Sequence, residues 1–242
     1  MLESFGSSLA VAVFGAGGGL GRALVTALDD CAEVKHLDCY SSKPLIAQGK
    51  QRVFRCDLAD EASIQSCLID ANIPYDLVIV ATGVLHDDVV APEKSLKSLS
   101  YPSLERVFAI NTFAPMIVAK HVLPNMPRDK KTAFAALSAR VGSISDNQLG
   151  GWYAYRASKA ALNQLIKTAS IEHARRWPQA LVVGLHPGTV DTGLSKPFQS
   201  QVSQTKLFSP KQSATYMLDA LDKAGPELSG QVLDYKGAII AP

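Results

Sequence analysis

The sequence lacks the features that would set it outside ordinary globular chemistry. Its four cysteines, Cys31, Cys39, Cys56 and Cys67, make no C-x-x-C pair and no full Cys/His set at zinc-ligand spacing. A metal site or disulfide framework is therefore not expected, and the thiols are read as reduced. Charge of one sign is also missing: 24 basic residues against 22 acidic ones leave a formal charge of +2. Neither nucleic acid nor an anionic membrane surface is expected as a partner. No apolar run is read as approaching the ~18–20 residues of a bilayer span. The short run Leu9–Phe14 has no basic segment ahead of it and no small-residue cleavage pattern after it, so it reads as a strand and not as a secretory signal. Repeats, low-complexity tracts and linker-like shifts are absent, and the expected location is cytoplasmic.

What is present is a chain of 242 residues, 47% hydrophobic, long enough to bury a core without covalent staples. Short β-rich runs alternate with longer helical patterns, which predicts βαβ units around a parallel sheet. The expected strands are Leu9–Phe14, Val34–Cys39, Gln51–Cys56, Asp76–Ala81, Thr132–Ser138, Leu181–Leu185 and Gln231–Leu233. Helices are expected to start near Gly19, Asp60, Tyr101, Trp152 and Ser209, the last with proline at its first position. In such a sheet ligands bind beyond the carboxyl ends of the strands, so the residues after each strand are the ones to inspect.

Directly after the first strand stands Gly15-Ala16-Gly17-Gly18-Gly19-Leu20-Gly21-Arg22, opening into an amphipathic helix. Glycine permits positive φ and close backbone approach to a pyrophosphate, and the free N–H groups of a helix start favour the anion. Strand before and helix after is the setting that makes such a turn a dinucleotide fingerprint. Asp38, at the end of the second strand and seventeen residues past Gly21, either stands as an exposed strand-end acid or is placed where an acid can take the ribose hydroxyls. That role would favour NAD, while Arg22, Ser41, Ser42 and Lys43 nearby keep NADP open. Asp57-Leu58 follow the third strand, and Asp60 caps the next helix.

Tyr155 and Lys159 stand four apart on a helical segment and so share one face. A nearby ammonium favours the phenolate and brings a tyrosine of pKa ~10 toward the range useful for general acid/base work.

The glycine turn, Asp57-Leu58, Asn111, Tyr155 with Lys159, and Pro187-Gly188-Thr189-Val190-Asp191-Thr192 together resemble the short-chain dehydrogenase/reductase family over nearly the whole chain. Gly142-Ser143-Ile144, Gly150-Gly151-Trp152-Tyr153-Ala154-Tyr155, Ala160-Ala161-Leu162-Asn163 and the segment Ser229-Gly230-Gln231 to Gly237 look like its branch of C-factor signalling proteins and sniffer-type carbonyl reductases. The resemblance implies a Rossmann-type three-layer αβα sandwich with a mostly parallel, doubly wound seven-stranded sheet, as one domain over residues 1–242. It implies NAD(P)-dependent interconversion of a carbonyl and an alcohol. Tyr155 would exchange the proton, Lys159 would lower its pKa and hold the nicotinamide ribose, and Asn111 would support a water leading to Lys159. Val190 and Thr192, after Pro187 and Gly188, would hold the carboxamide; Asp57 and Leu58 would flank the adenine; Ala81, Thr82 and Gly83, replacing the family's asparagine-alanine-glycine, would line the cofactor. With the asparagine changed to Ala81, a local rearrangement without loss of binding is expected.

One departure concerns the family's serine. Counting back three from Gly142 gives Ala139, and Ser138 lies one residue earlier, where an extended strand would turn it to the opposite face. Either a bulge turns Ser138 toward Tyr155, or Ser143 serves from the following loop, or Tyr155 and Lys159 work alone; Ser138 is the preferred reading. His186 is read as structural; His86 as a solvated loop residue ahead of a substrate or cofactor contact; and Arg175-Arg176 as complements to a helix dipole ahead of a phosphate site. The segment 193–208, with Leu194, Phe198, Val202, Leu207 and Phe208, reads as a lid over a partly apolar substrate. Relatives pair through the helices bearing Asn111 and Tyr155, so a homodimer or homotetramer is expected. Two rivals stand beside this reading. One is a dinucleotide-binding signalling protein with little turnover, and the other is a sugar-nucleotide epimerase, for which the chain after Thr192 is short.

Overall fold

Alternation along the strands decides the architecture. In strand β1 (Leu9–Phe14), Leu9, Val11 and Val13 face one side and Ala10, Ala12 and Phe14 the other, and all are buried. A strand buried on both faces requires a helical layer on each. The computed structural model, which describes residues 1–201 and 203–242, supplies both layers.

After β1 come helix α1 (Gly19–Asp29), β2 (Val34–Ser41), β3 (Gln51–Arg55), α2 (Glu61–Ala71) and β4 (Leu77–Val80). Then follow α3 (Tyr101–Phe108), α4 (Ala114–Val122), β5 (Thr132–Leu137), α5 (Tyr153–Ala174) and β6 (Ala180–His186). The chain closes with β7 (Thr189–Val190), β8 (Leu207–Phe208), α6 (Pro210–Lys223) and β9 (Val232–Asp234). Seven strands form one sheet in the order β3-β2-β1-β4-β5-β6-β9, every neighbouring pair parallel. Leu24, Leu28, Met217 and Leu221 of α1 and α6 pack on one face, against Val11, Leu77 and Leu181. Ile64, Val118, Leu162 and Ile166 of α2, α4 and α5 pack on the other, against Phe14, Val78 and Phe134. This is the expected doubly wound, Rossmann-like arrangement, with the strand order reversing beside β1.

Helix ends follow local chemistry. Asp60 accepts the Ala62 N–H at 3.0 Å and caps α2. Ser209 and Gln212 form a reciprocal capping box, with Pro210 behind it.

Two features depart from the sequence reading. The run Tyr101–Asn125 is long and apolar enough, by length and composition alone, to cross a bilayer, although no such stretch was expected. Half of that run is buried inside the protein, as befits a core helix packed on α5 and the sheet. A small parallel ribbon, β7 with β8, was also not expected; it pairs Thr189 with Leu207 and Val190 with Phe208 at the two ends of the lid segment.

Candidate active site

At the carboxyl end of the sheet lies a cavity of 550 Å³. Gly18, Gly19, Leu20, Ala81, Thr82 and Gly83 line one side, and Pro187, Gly188, Val190 and Thr192 another. Tyr155 and Lys159 reach it from α5. The remaining glycines shape the turn from behind. A Cβ on Gly15, whose φ is +82°, would meet Thr82 at 2.8 Å, and one on Gly21 would fall 2.1 Å from the Gly15 carbonyl oxygen. Nothing larger than glycine lets α1 start this close to the strand. Gly17 lies against the end of β2, where a Cβ would come 2.8 Å from Ser41 Oγ.

Tyr155 and Lys159 are both buried, at 9% and 2% exposure. Lys159 Nζ donates to the Leu137 carbonyl at 2.7 Å and lies 5.9 Å from the Tyr155 ring centre. Burial pushes the Tyr155 phenol up to about 12 and the Lys159 amine down to about 7. Burial is the cause for both groups, and no lowering of the phenol by its lysine is seen beside it.

Asn111 lies in a π-turn over Ala109–Phe113, where the Ala114 N–H reaches back to the Ala109 carbonyl. Its amide reads the Val84 backbone in both directions, accepting the Val84 N–H at 2.8 Å and donating to the Val84 carbonyl at 2.9 Å. It also donates to Ser158 Oγ at 3.1 Å, and Ser158 Oγ donates to the Tyr155 carbonyl at 2.8 Å. Both amide protons are used in this way, so the side chain braces the turn that carries Tyr155.

Two sequence-based assignments are corrected. Asp38 is fully buried and does not line the cavity. Its carboxylate accepts two 2.7 Å hydrogen bonds from Arg52 and one from the Tyr75 hydroxyl. Arg52 is its cross-strand partner on β3. Leu37 and Cys39 face α1, so period-two alternation turns Asp38 to the opposite layer, away from any ribose site.

The same alternation decides Ser138. It follows Phe134 and Ala136 toward α5 and donates to Asn163 Oδ1 at 2.6 Å. No bulge redirects it, since Ala139 continues extended at φ −154°, ψ 149°. Ala139 is the residue that packs with Tyr155. Ser143, the alternative, is engaged with Pro242 and Asp146 and does not line the cavity. Ser138 still borders the cavity, but its hydroxyl is committed to Asn163, so the arrangement favours Tyr155 and Lys159 working without the serine.

Asp57 and Leu58 also lie outside the cavity lining; Asp57 Oδ1 accepts the Ala59 N–H, and Leu58 packs on the sheet. His186 lines the cavity, its pKa lowered to about 4 by burial and then by Arg140. Its Nδ1 has no partner among the described residues.

Several residues of the site carried no recognised signal in the sequence. Glu93, only 3% exposed, caps α5 from a distant loop: its carbonyl accepts the Trp152 N–H at 2.6 Å and its carboxylate the Ala154 N–H at 3.2 Å. Such a negative charge favours the helix N-terminus. Before α5, Gly150, Gly151 and Trp152 all take positive φ, which swings the Trp152 ring against Tyr155 at 6.2 Å. The Gly-Gly-Trp run was the available clue. Glu93 offered none, because its contacts are made sixty-one residues along the chain. Of the predicted lid residues, Leu194 and Phe198 pack toward Tyr155, Phe208 packs away on Tyr216 and Tyr235, and Val202 lies outside the described residues.

Residues 9–203 match the model of the short chain dehydrogenase family. The chain belongs to that family. A dehydrogenase of Rhodococcus sp. (strain AD45), described as 1-hydroxy-2-glutathionyl-2-methyl-3-butene dehydrogenase, is 30% identical over 95% of this chain and 98% of its own. The C-signal protein of Myxococcus xanthus is 35% identical over 59% of this chain and 81% of its own. The NADPH-bound carbonyl reductase structure from chicken fatty liver superposes with a TM-score of 0.86 at 20% identity, covering 99% of this chain and 97% of that one. The C-signal protein and a carbonyl reductase structure thus both stand among the similar proteins.

As a short-chain dehydrogenase the protein is an oxidoreductase using NAD(P). Its residues fit that group. Gly18 and Gly19 present bare backbone to the cavity, a Cβ on Gly19 would press Thr192 at 3.0 Å, and the Thr82 hydroxyl in the wall has no partner among the described residues.

Proposed function

We propose that the protein reduces a carbonyl compound with NADP(H), and oxidises the corresponding alcohol in reverse, with Tyr155 as the acid/base. The observation that carries this reading is the burial of Tyr155 and Lys159 together at one cavity whose facing wall is the glycine turn. The bound dinucleotide would supply the hydride. Tyr155, protonated up to about pH 12, donates to the substrate oxygen in the reductive direction. Lys159 is held by the Leu137 carbonyl, and Asn111 with Ser158 fixes the turn they share. Gly18, Gly19 and the start of α1 would take the diphosphate, and Val190 and Thr192 the nicotinamide end. Asp57 and Leu58, beside the end of β3, would flank the adenine.

The end of β2 supports the reading of NADP as the preferred dinucleotide. Asp38 is turned inward, and the residues that follow, Ser41, Ser42 and Lys43, bring hydroxyls and a cation where an acid would repel a 2′-phosphate. Thermal unfolding should shift upward more with NADPH than with NADH at equal concentration, since a ligand that binds only the native state stabilises it.

Deuterium transfer tests the chemistry. Labelled NADPH incubated with a panel of aldehydes and ketones should place the label on the alcohol carbon. Ala139 at the serine position favours a second reading, a dinucleotide-binding regulator. Retained dinucleotide binding with no label transferred to any member of the panel would establish that reading and overturn the first.

A further inference from the structure

Beyond Tyr155 the cavity is lined by Leu85, Ala139, Val141, Trp152, Leu194 and Phe198, an apolar wall that Arg140 and Ser195 border. Its rings meet edge to face: Trp152 and Phe198 at 5.0 Å and 62°, Phe198 and His86 at 5.7 Å and 67°, Trp152 and Tyr155 at 6.2 Å and 78°. This geometry is the one that aromatic quadrupoles favour, and it leaves ring faces and edges for a further ring. Arg140, which also lines the cavity, has Asp146 and Asp234 at 3.6 and 3.7 Å.

His86 fixes the outer part of this wall. Its Nε2 lies 3.1 Å from the Gly193 carbonyl oxygen and 3.2 Å from that of Leu194. Both partners only accept, so Nε2 carries the proton and donates to both. The imidazole therefore ties the loop after β4 to the lid segment at the point from which Leu194 and Phe198 reach inward, and it meets Phe198 as well.

We propose that the site takes flat aryl ketones or aldehydes, the ring held by Trp152 and Phe198 and the carbonyl oxygen met by Tyr155 alone, with His86 as the positioning residue that holds the lid onto the ring. The proposal rests on the carbonyl-reduction reading for its chemistry, but the ring pocket is a binding claim of its own. With a methyl at Ala139 in place of a hydroxyl, a small ketone has one donor and little apolar surface with which to use the wall. Discrimination between ligands that differ by several apolar carbons should then reach about a hundredfold.

The test separates binding from turnover. Calorimetric titration of 1-phenylethanol and of 2-butanol into the protein holding NADPH forms complexes that cannot react, since both partners are already reduced. The aryl alcohol should bind at least about tenfold more tightly, and Phe198→Ala should remove most of that difference. His86→Ala should weaken aryl binding, and His86→Asn, which keeps an N–H donor, should recover part of it. Steady-state kinetics should show the same ranking for acetophenone over butanone, with His86→Ala raising KM and leaving kcat nearly unchanged. Equal affinity for the two alcohols, or an unaltered preference in Phe198→Ala, would overturn the ring pocket while leaving carbonyl reduction intact. Tight aryl binding without turnover of either ketone would do the reverse.

Discussion

Two buried polar clusters in this protein are built on opposite plans. Around Asp38 every charge has its answer: Arg52 binds both carboxylate oxygens, Tyr75 donates to one of them, and Tyr40 and Tyr75 share a hydrogen bond of 2.6 Å. Around Tyr155 and Lys159 the described residues place no carboxylate in the cavity wall; the amine has one neutral carbonyl, the neighbouring Thr82 hydroxyl and His186 Nδ1 have no partner among the described residues, and burial pushes both titrating groups toward neutrality. A saturated cluster rigidifies a fold, whereas an unsaturated one in a cavity has bonding capacity left for a ligand. The difference separates a structural acid from a reactive pair more surely than residue type does.

Exchanging Tyr155 for Phe strikes the unsaturated cluster at its centre. It should cut kcat by about a hundred- to ten-thousand-fold, the usual worth of a positioned acid/base, with dinucleotide affinity nearly unchanged by calorimetry. A parent-like kcat would remove Tyr155 from the chemistry. Asp38→Asn strikes the saturated cluster, and the expected loss is in stability. Breaking a buried ion pair from one side costs about 3–5 kcal/mol, and the lower end applies because Arg52 is half-exposed and can turn to water. Denaturant unfolding would show it, and the ratio of NADPH to NADH affinity should not move. A changed ratio with unchanged stability would return Asp38 to the ribose.

A smaller effect follows from pH. Unfolded, the Lys159 amine titrates near ~10.4; folded, near about 7. Between those values the unfolded chain holds the extra proton, so this group makes stability rise with pH across the window, by at most about 1.4 kcal/mol per unit. Below about pH 7 both states are protonated and the contribution is flat. Lys159→Met should lose this slope, which thermal unfolding at a series of pH values between 7 and 9 would resolve; an unchanged slope would mean that the amine is solvated.

Smallest is the effect of the cap that holds the reactive helix. Glu93→Ala should cost about 1 kcal/mol, as loss of a helix cap does, and lower kcat several-fold without altering the KM for the dinucleotide. Glu93→Gln keeps an acceptor for the Ala154 N–H and should recover most of the kcat. If Gln and Ala behave alike, the carboxylate does not position Tyr155 through that bond.

Much of this was legible in the chain. The glycine turn after the first strand, the seven strands of the sheet, the Asp60 and Ser209 caps and the Tyr155 and Lys159 pair are local patterns, and each depends on residues within a few positions of one another. Asp38 was misplaced by a single step of strand parity, and Ser138 by a bulge that the strand does not make. Proximity to a strand end says nothing of which face a side chain takes; the layers packed above and below decide that.

The sequence by itself determined a parallel sheet between two helical layers, a phosphate-binding turn, and a tyrosine with a lysine on one helical face, because all of these follow from periodicity and short-range geometry. Only the tertiary structure decided that Asp38 belongs to Arg52, that Ala139 and not a serine stands beside Tyr155, that Glu93 caps the reactive helix, and that Trp152, Phe198 and His86 meet across the cavity. Those contacts join residues far apart in the chain, and their geometry comes into being only when the sheet has brought the ends of β4, β5 and β6 to one side.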